Sequence, residues 1–493
     1  MSVPGSGGPA PAPVTKARRP LAAGTAHRGI TLASSVVGAV IVALDGTVLT
    51  VAQPTLKSDL GASFAQVQWT STGYLIAVAG LLVFAGRLGD RHGHRRVFAL
   101  GILGFGAASA AIGLAPGIGW VIALRVAQGV FGALLQPATL GMLRAAYPPD
   151  RLATPIALRA SAIGIAAAAG PLLGGALVDH FGWRSVFFLN VPPALAMGVA
   201  ALCVRPPAER EHRGAEPSAR AGLDVPGALL LTVALVALVH TLVAVPESGW
   251  TAASGAGTAV VAAAGVAFVH RQRRAASPLV PPEIFGSAAI GAALGILVAV
   301  SAALLGTLFA ASWFLQRTLG LDPQETGLWA LPAGVTMVLG APLAAVLMRR
   351  FGPRRTVVAG ALVLTSGILQ LARLQPSSTA LPVSFGFLLL GAGFVTVMVT
   401  TTAVAVRHAP AAAAGVAGGL QQTAMNIGPT LGIAVAATLM ASAHGSGVAV
   451  PLGALAVFSA TAALLALGLP GHKDPVGAAA PGSADASPAR LGR

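Results

Sequence analysis

Asp45 and Arg125 are the two residues whose types and spacing could do chemistry together. Of the fifteen acidic residues in the 493-residue chain, Asp45 alone falls in the middle of a membrane-length apolar segment. A carboxylate in hydrocarbon costs on the order of several kcal/mol, so one that is kept there points to function. If Asp45 takes up a proton in one conformation and releases it in another, it can couple proton movement to a conformational cycle. An arginine whose distance from it changes between states would supply that dependence. Helix counting brings the pair to one depth. Asp45 stands about 16 residues into its segment, roughly 24 Å from the inner end at 1.5 Å per residue, and Arg125 is about six residues from the outer end of an antiparallel segment. A static ion pair inside a bundle is the other reading of the same spacing.

The elements that must hold them are membrane spans. The chain is 55% hydrophobic and 9% charged, with a mean hydropathy of +0.79, where a soluble domain carries roughly 25% charged residues. Apolar runs near 29–53, 66–86, 97–115, 119–143, 153–178, 185–204, 224–245, 252–270, 287–313, 325–348, 356–372, 380–405, 412–440 and 449–470 give fourteen spans of an all-α polytopic membrane protein. With the N-terminus inside, the cytoplasmic segments hold 26 of the 31 Lys and Arg residues. Outside are Lys57, Arg184, Arg317 and Arg373, and Arg125 lies within a span. This asymmetry places both termini in the cytoplasm and the protein in the cell membrane. It also explains the net charge of +16 without a nucleic-acid partner. The single cysteine, Cys203, excludes a disulfide framework and a cysteine metal site.

RHGHRRV from Arg91 returns as RFGPRRT from Arg350, which lays spans 1–6 over spans 9–14. The expected organisation is a disordered tail at 1–28, a six-helix bundle at 29–204, a linker at 205–223 and an inserted helix pair at 224–270. A second linker at 271–286, a second bundle at 287–470 and a tail at 471–493 complete it. Two six-helix halves with a site between them is a plan of secondary transporters. The inserted pair should lie peripheral to their path.

Four strings carry a resemblance. GRLGDRHGHRR, Gly86 to Arg96, combines glycines that allow close approach with an embedded acid. Asp90 could pair with arginines or with a helix N-terminus. In span 5, Gly170, Pro171, Gly174 and Gly175 make a bent face on which backbones can touch, followed by GWR and FFLNVP. LDGTVLTVAQPTL contains Asp45, and RVAQGVFGALLQPA contains Arg125. Together they resemble the fourteen-helix drug:proton antiporters of the major facilitator superfamily, over nearly the whole chain between the tails. The resemblance implies the major facilitator fold. It implies a gating loop with Gly86, Asp90, Arg91, Gly93, Arg95 and Arg96, an antiporter motif with Gly170, Pro171, Gly174 and Gly175, and a coupling role for Asp45 and Arg125. His92, His94 and Ala166 depart from the pattern, and the second copy at 350–355 lacks the acid.

Gln128, Gln421, Gln422 and Asn426 are candidates for a substrate cavity, as is Asn190, or else they bond between helices. His240 reads as a peripheral histidine; Trp69, Trp183, Trp250 and Trp313 read as interfacial anchors. No HExxH, GxSxG or P-loop appears, so neither an enzyme nor an ATP-driven pump is expected. The function implied is export of amphipathic toxic compounds, an antibiotic or several drugs, in exchange for protons by alternating access, without a cofactor and as a monomer. A narrow exporter of an endogenous metabolite is the alternative. Without further acids in spans 9–14, the substrates expected are neutral, monocationic or zwitterionic, with a low proton:substrate ratio.

Overall fold

A computed structural model describes residues 21–148, 151–203, 224–442 and 448–470. The expected tail as far as residue 20, the linker at 205–223 and the tail at 471–493 lie outside the described residues. No strand occurs among those described. The first five spans are α1 (Leu21–Asp59), α2 (Phe64–His92), α3 (His94–Gly113), α4 (Ile118–Ala146) and α5 (Ala153–Phe181); α6 (Ser185–Phe188) and α7 (Val191–Cys203) share the sixth. The inserted pair is α8 (Val225–Ser248) and α9 (Ala252–Arg274). Beyond the one-turn α10 (Pro282–Phe285) come α11 (Ala288–Arg317), α12 (Pro323–Phe351), α13 (Pro353–Ala372), α14 (Ala380–His408), α15 (Ala414–Ser442) and α16 (Ala449–Leu465). These make fourteen spans long and apolar enough to cross a membrane among the described residues.

Helices outrun their apolar stretches at several ends. Residues 21–28, expected in the tail, are the first turns of α1. Residues 86–96, expected as a loop, are the end of α2 and the start of α3, with Gly93 alone between them. Gly93 sits at φ 90° and its repeat counterpart Gly352 at φ 80°, separating α12 from α13 in the same way. A side chain at either would be strained there, so one glycine replaces a loop. The repeat also holds at the opposite ends. Ser63 and Gln66 form a reciprocal capping box before α2, and Asp322 and Glu325 form one before α12. The sixth span is broken at Leu189–Asn190, because Pro192 and Pro193 lack the N–H groups that would continue the ladder.

Among the described residues, the buried clusters that join the two halves lie toward one end. One buried cluster joins Leu140, Leu143, Ile156 and Ala160 to Ala341, Ala344, Val399 and Val406. A second joins Val83 to Ala413, Val416 and Ala417, together with α8 and the segment before α11. Both lie toward the end of the molecule that carries Arg87, Arg91, Arg144, Arg349 and Arg350. A cluster toward the other end, around Val48, Trp183 and Phe187, stays within the first half, and one that includes Phe314, Phe387 and Leu455 runs through the depth of the second half and stays within it. α8 packs on both α2 and α15 and so bridges the seam between the halves. Asp224 anchors the pair by capping α8 at the Gly227 N–H (3.0 Å) and accepting from Arg271 (3.0 Å) and Gln272 (2.9 Å) of α9.

Candidate functional site

Asp45 and Arg125 are in contact, and both side chains are almost fully buried. Arg125 Nη1 donates to Asp45 Oδ2 at 2.5 Å and to Gln128 Oε1 at 2.6 Å, and its Nε donates to the Thr70 carbonyl at 3.0 Å. The guanidinium stacks on the Tyr74 ring, 4.4 Å from its centroid. The other carboxylate oxygen of Asp45 accepts from Gln128 Nε2 and Asn190 Nδ2, each at 3.0 Å. Gln128 Nε2 also donates to Ser109 Oγ at 2.7 Å. Taking two charges out of water is costly, and a buried pair repays it only when its remaining donors and acceptors are satisfied. Here α1, α2, α3, α4 and the break in the sixth span each supply a group.

Depth counting anticipated Asp45 and Arg125 but not the rest of the network. Gln128, a candidate for the substrate cavity, is fully buried beside Asp45. Asn190 joins it there, and Ser109, Thr70 and Tyr74 had not been singled out. The same arithmetic would have found Ser109. It lies about 15 residues into α3, roughly 22 Å from the inner end, close to the depth of Asp45. The opening of the sixth span that aims Asn190 is a proline effect, and only the folded chain shows where it points.

The antiporter motif touches the same helix. A Cβ at Gly170 would overlap Thr47 Oγ1, and one at Gly174 would meet the Val48 backbone at 3.2 Å. α5 therefore crosses α1 within one turn of Asp45. Pro171 lies between these contacts in the chain, and Gly175 has nothing within 4 Å.

Asp90 reaches across the molecule. Its carboxylate accepts from the backbone N–H groups of Gly415 (2.7 Å) and Val416 (3.0 Å), capping the first turn of α15 in the other half. His94 Nε2 stands 3.2 Å from the same carboxylate. A Cβ at Gly86 would overlap the Gly415 carbonyl, so α2 and α15 touch backbone to backbone. The helix-terminus reading of Asp90 is realised on α15 rather than α3. Arg91 and Arg96 are exposed and Arg95 is half-buried.

On the other side of the seam, Ser161 Oγ donates to the Val338 carbonyl at 2.7 Å, Arg349 Nη1 to Thr154 Oγ1 at 3.2 Å and Arg144 Nη2 to the Arg407 carbonyl at 3.3 Å. Nearby, burial pushes the Tyr147 phenol above its ordinary value, opposed by Arg28, and the hydroxyl donates to the Arg28 carbonyl at 3.2 Å. Arg159, counted above with the cytoplasmic arginines, is a correction. It lies inside α5 and is 7% exposed. The hydropathy of its neighbours could have flagged it.

Asn426 lines a cavity of about 600 Å³ with Leu75, Val239, Leu242, Phe309 and Thr430. The inserted pair, expected to be peripheral, forms one wall of it through α8. Gln422 is half-buried, and Gln421 is buried, donating to Thr402 Oγ1 at 3.3 Å. Trp183 is no interfacial anchor. It is 2% exposed and donates to Asp59 at 2.8 Å, a carboxylate that Arg184 also holds at 2.7 Å. Trp69, Trp250 and Trp313 are exposed.

Residues 36–310 and 294–491 match the profile of the Major Facilitator Superfamily. The chain is 43% identical over 418 residues to the tetracenomycin C resistance and export protein of Streptomyces glaucescens, covering 84% of this chain and 76% of that protein. It is 32% identical over 429 residues to the multidrug efflux pump LfrA of Mycolicibacterium smegmatis, covering 86% and 83%. With the cephamycin export protein CmcT of Amycolatopsis lactamdurans the identity is 34% over 414 residues, covering 82% and 83%. Among solved structures, the human organic anion transporter MFSD10 superposes with a TM-score of 0.65 at 16% identity, covering 89% of this chain and 99% of that one.

Proposed function

The chain belongs to the Major Facilitator Superfamily, and we propose that it exports amphipathic toxic compounds from the cytoplasm in exchange for protons. The observation that carries this reading is the buried Asp45–Arg125 pair, held entirely by groups of the first half. A proton arriving at Asp45 would break the pair's charge balance, release Arg125 to its other acceptors and alter the packing of α1 against α5. The first half would then rock against the second, separating α2 from α15 and α5 from α12. Substrate enters from the cytoplasm in that state, and loss of the proton restores the pair and closes the arginine-rich end. Both termini lie on the cytoplasmic side in this scheme, and the protein works as a monomer without a cofactor.

The experiment uses inverted membrane vesicles with an acidified interior. Proton release is followed on adding a panel of antibiotics and dyes, for the parent chain and for Asp45→Asn. Release by the parent that the variant loses is the expected result. Coupled exchange by Asp45→Asn at the parent's rate would refute the coupling role. The relatives include proteins named for export of one compound and for multidrug efflux, so a response confined to one compound would favour the narrow metabolite exporter instead.

A further inference from the structure

Arg159 is a buried cation that the coupling network does not use. Its side chain is 7% exposed, its Nε has no hydrogen-bond partner, and among the described residues it forms no ion pair. It stands six residues beyond the start of α5, roughly 9 Å along the helix from that end. The adjacent Ala160 belongs to the cluster that joins the two halves, and Ser161 makes the cross-seam bond to Val338. Opening the arginine-rich end separates α5 from α12 at this point. An uncompensated guanidinium buried beside that seam is costly. The other arginines placed across this side of the seam, Arg144 and Arg349, donate to a carbonyl and a hydroxyl. Asp90 lies on the opposite side, between α2 and α15. Asp45 and Arg125 cancel, and among the described residues no acid pairs with Arg159.

We propose that Arg159 is an anion-binding subsite of the transport path, so that the preferred substrates carry an ionised carboxylate or acidic phenol on an apolar body. The inference rests on the exporter reading and narrows it. It shifts the expected substrate from the neutral or monocationic compounds suggested by the scarcity of acids toward acidic and zwitterionic ones. A planar guanidinium suits this role, because it binds a carboxylate through two parallel N–H bonds. The apolar cluster to which its chain neighbours Ile156, Ala157 and Ala160 belong offers a surface for the apolar body. Among the described residues, no protein acid pairs with Arg159 in the closed state.

The test measures binding to the purified full chain in detergent, using dansylaminoundecanoic acid and its methyl ester, with protein-free micelles as background. The acid is expected to bind at least about tenfold more tightly than the ester, equivalent to about 1.4 kcal/mol. That preference should disappear in Arg159→Met, survive largely in Arg159→Lys, and fade as the pH drops below the acid's own titration. Equal binding of acid and ester by the parent overturns the proposal, even if no variant folds. So does a preference that persists in Arg159→Met, or failure of the acid to bind. The vesicle exchange experiment reports separately on the exporter reading. Proton exchange without acid preference would remove the subsite and keep the exporter, whereas acid preference without proton exchange would keep the subsite and remove the coupling.

Discussion

Arg125 is surrounded by acceptors from three different helices and by the face of an aromatic ring, yet among the described residues Asp45 is its only counter-charge. Substituting one partner leaves the other buried and unbalanced, while substituting both removes the charge problem altogether. Arg125→Met is therefore expected to destabilise the protein by about 3–5 kcal/mol. The double variant Asp45→Asn/Arg125→Met should recover most of that stability but no proton-coupled transport. Unfolding of the purified variants, set beside vesicle exchange, separates the two quantities as a double-mutant cycle. Equal stability of Arg125→Met and its parent would show that the pair is not the buried ion pair described. Coupled transport by the double variant would exclude Asp45 as the coupling group.

At the scale of elements, α2 and α15 form the closest joint between the halves. Glycines at 86 and 415 bring the backbones together, and Asp90 then reaches the first N–H groups of α15. Loss of such a cap costs about 1 kcal/mol, and a difference of that size changes a population about fivefold. Asp90→Ala should accordingly open the arginine-rich end about fivefold more often, and Gly86→Ala should open it further through backbone overlap. A thiol placed at Val416, 0% exposed in the closed seam, reports this in a background where Cys203 is serine. Maleimide labelling should be faster in both variants than in the parent. Unchanged labelling would mean that the joint is not what keeps this end shut.

Among the described residues, the clusters shared by the halves lie toward the arginine-rich end, so the chain is caught on one side of a rocking motion. α8 straddles the seam and walls the cavity at Asn426. If transport needs the seam between α5 and α12 to open, tying it shut must stop the cycle. Ser161→Cys with Val338→Cys, in the absence of Cys203, should cross-link under mild oxidation. Exchange should be lost on oxidation and should return on reduction. Full exchange by the oxidised, cross-linked protein would exclude motion at this seam.

The sequence by itself determined the number of spans, their order and the repeat. Those properties follow from local causes: the length of apolar runs, the placement of arginines, and glycines that only certain backbone angles can use. It also placed Asp45 and Arg125 at one depth, because helical rise converts residue counts into distance. The partners of Asp45 were a different matter. Ser109, Asn190 and Gln128 reach it by rotation about three helix axes, and an even run of small and apolar residues records no rotation. Arg159 looked like one of many cytoplasmic arginines until α5 was packed against the second half. Asp90 bonds to residues 325 and 326 positions away, and only the closing of one half against the other brings them together. Depth is a property of one helix and was legible; facing is a property of a pair, and tertiary packing decided it.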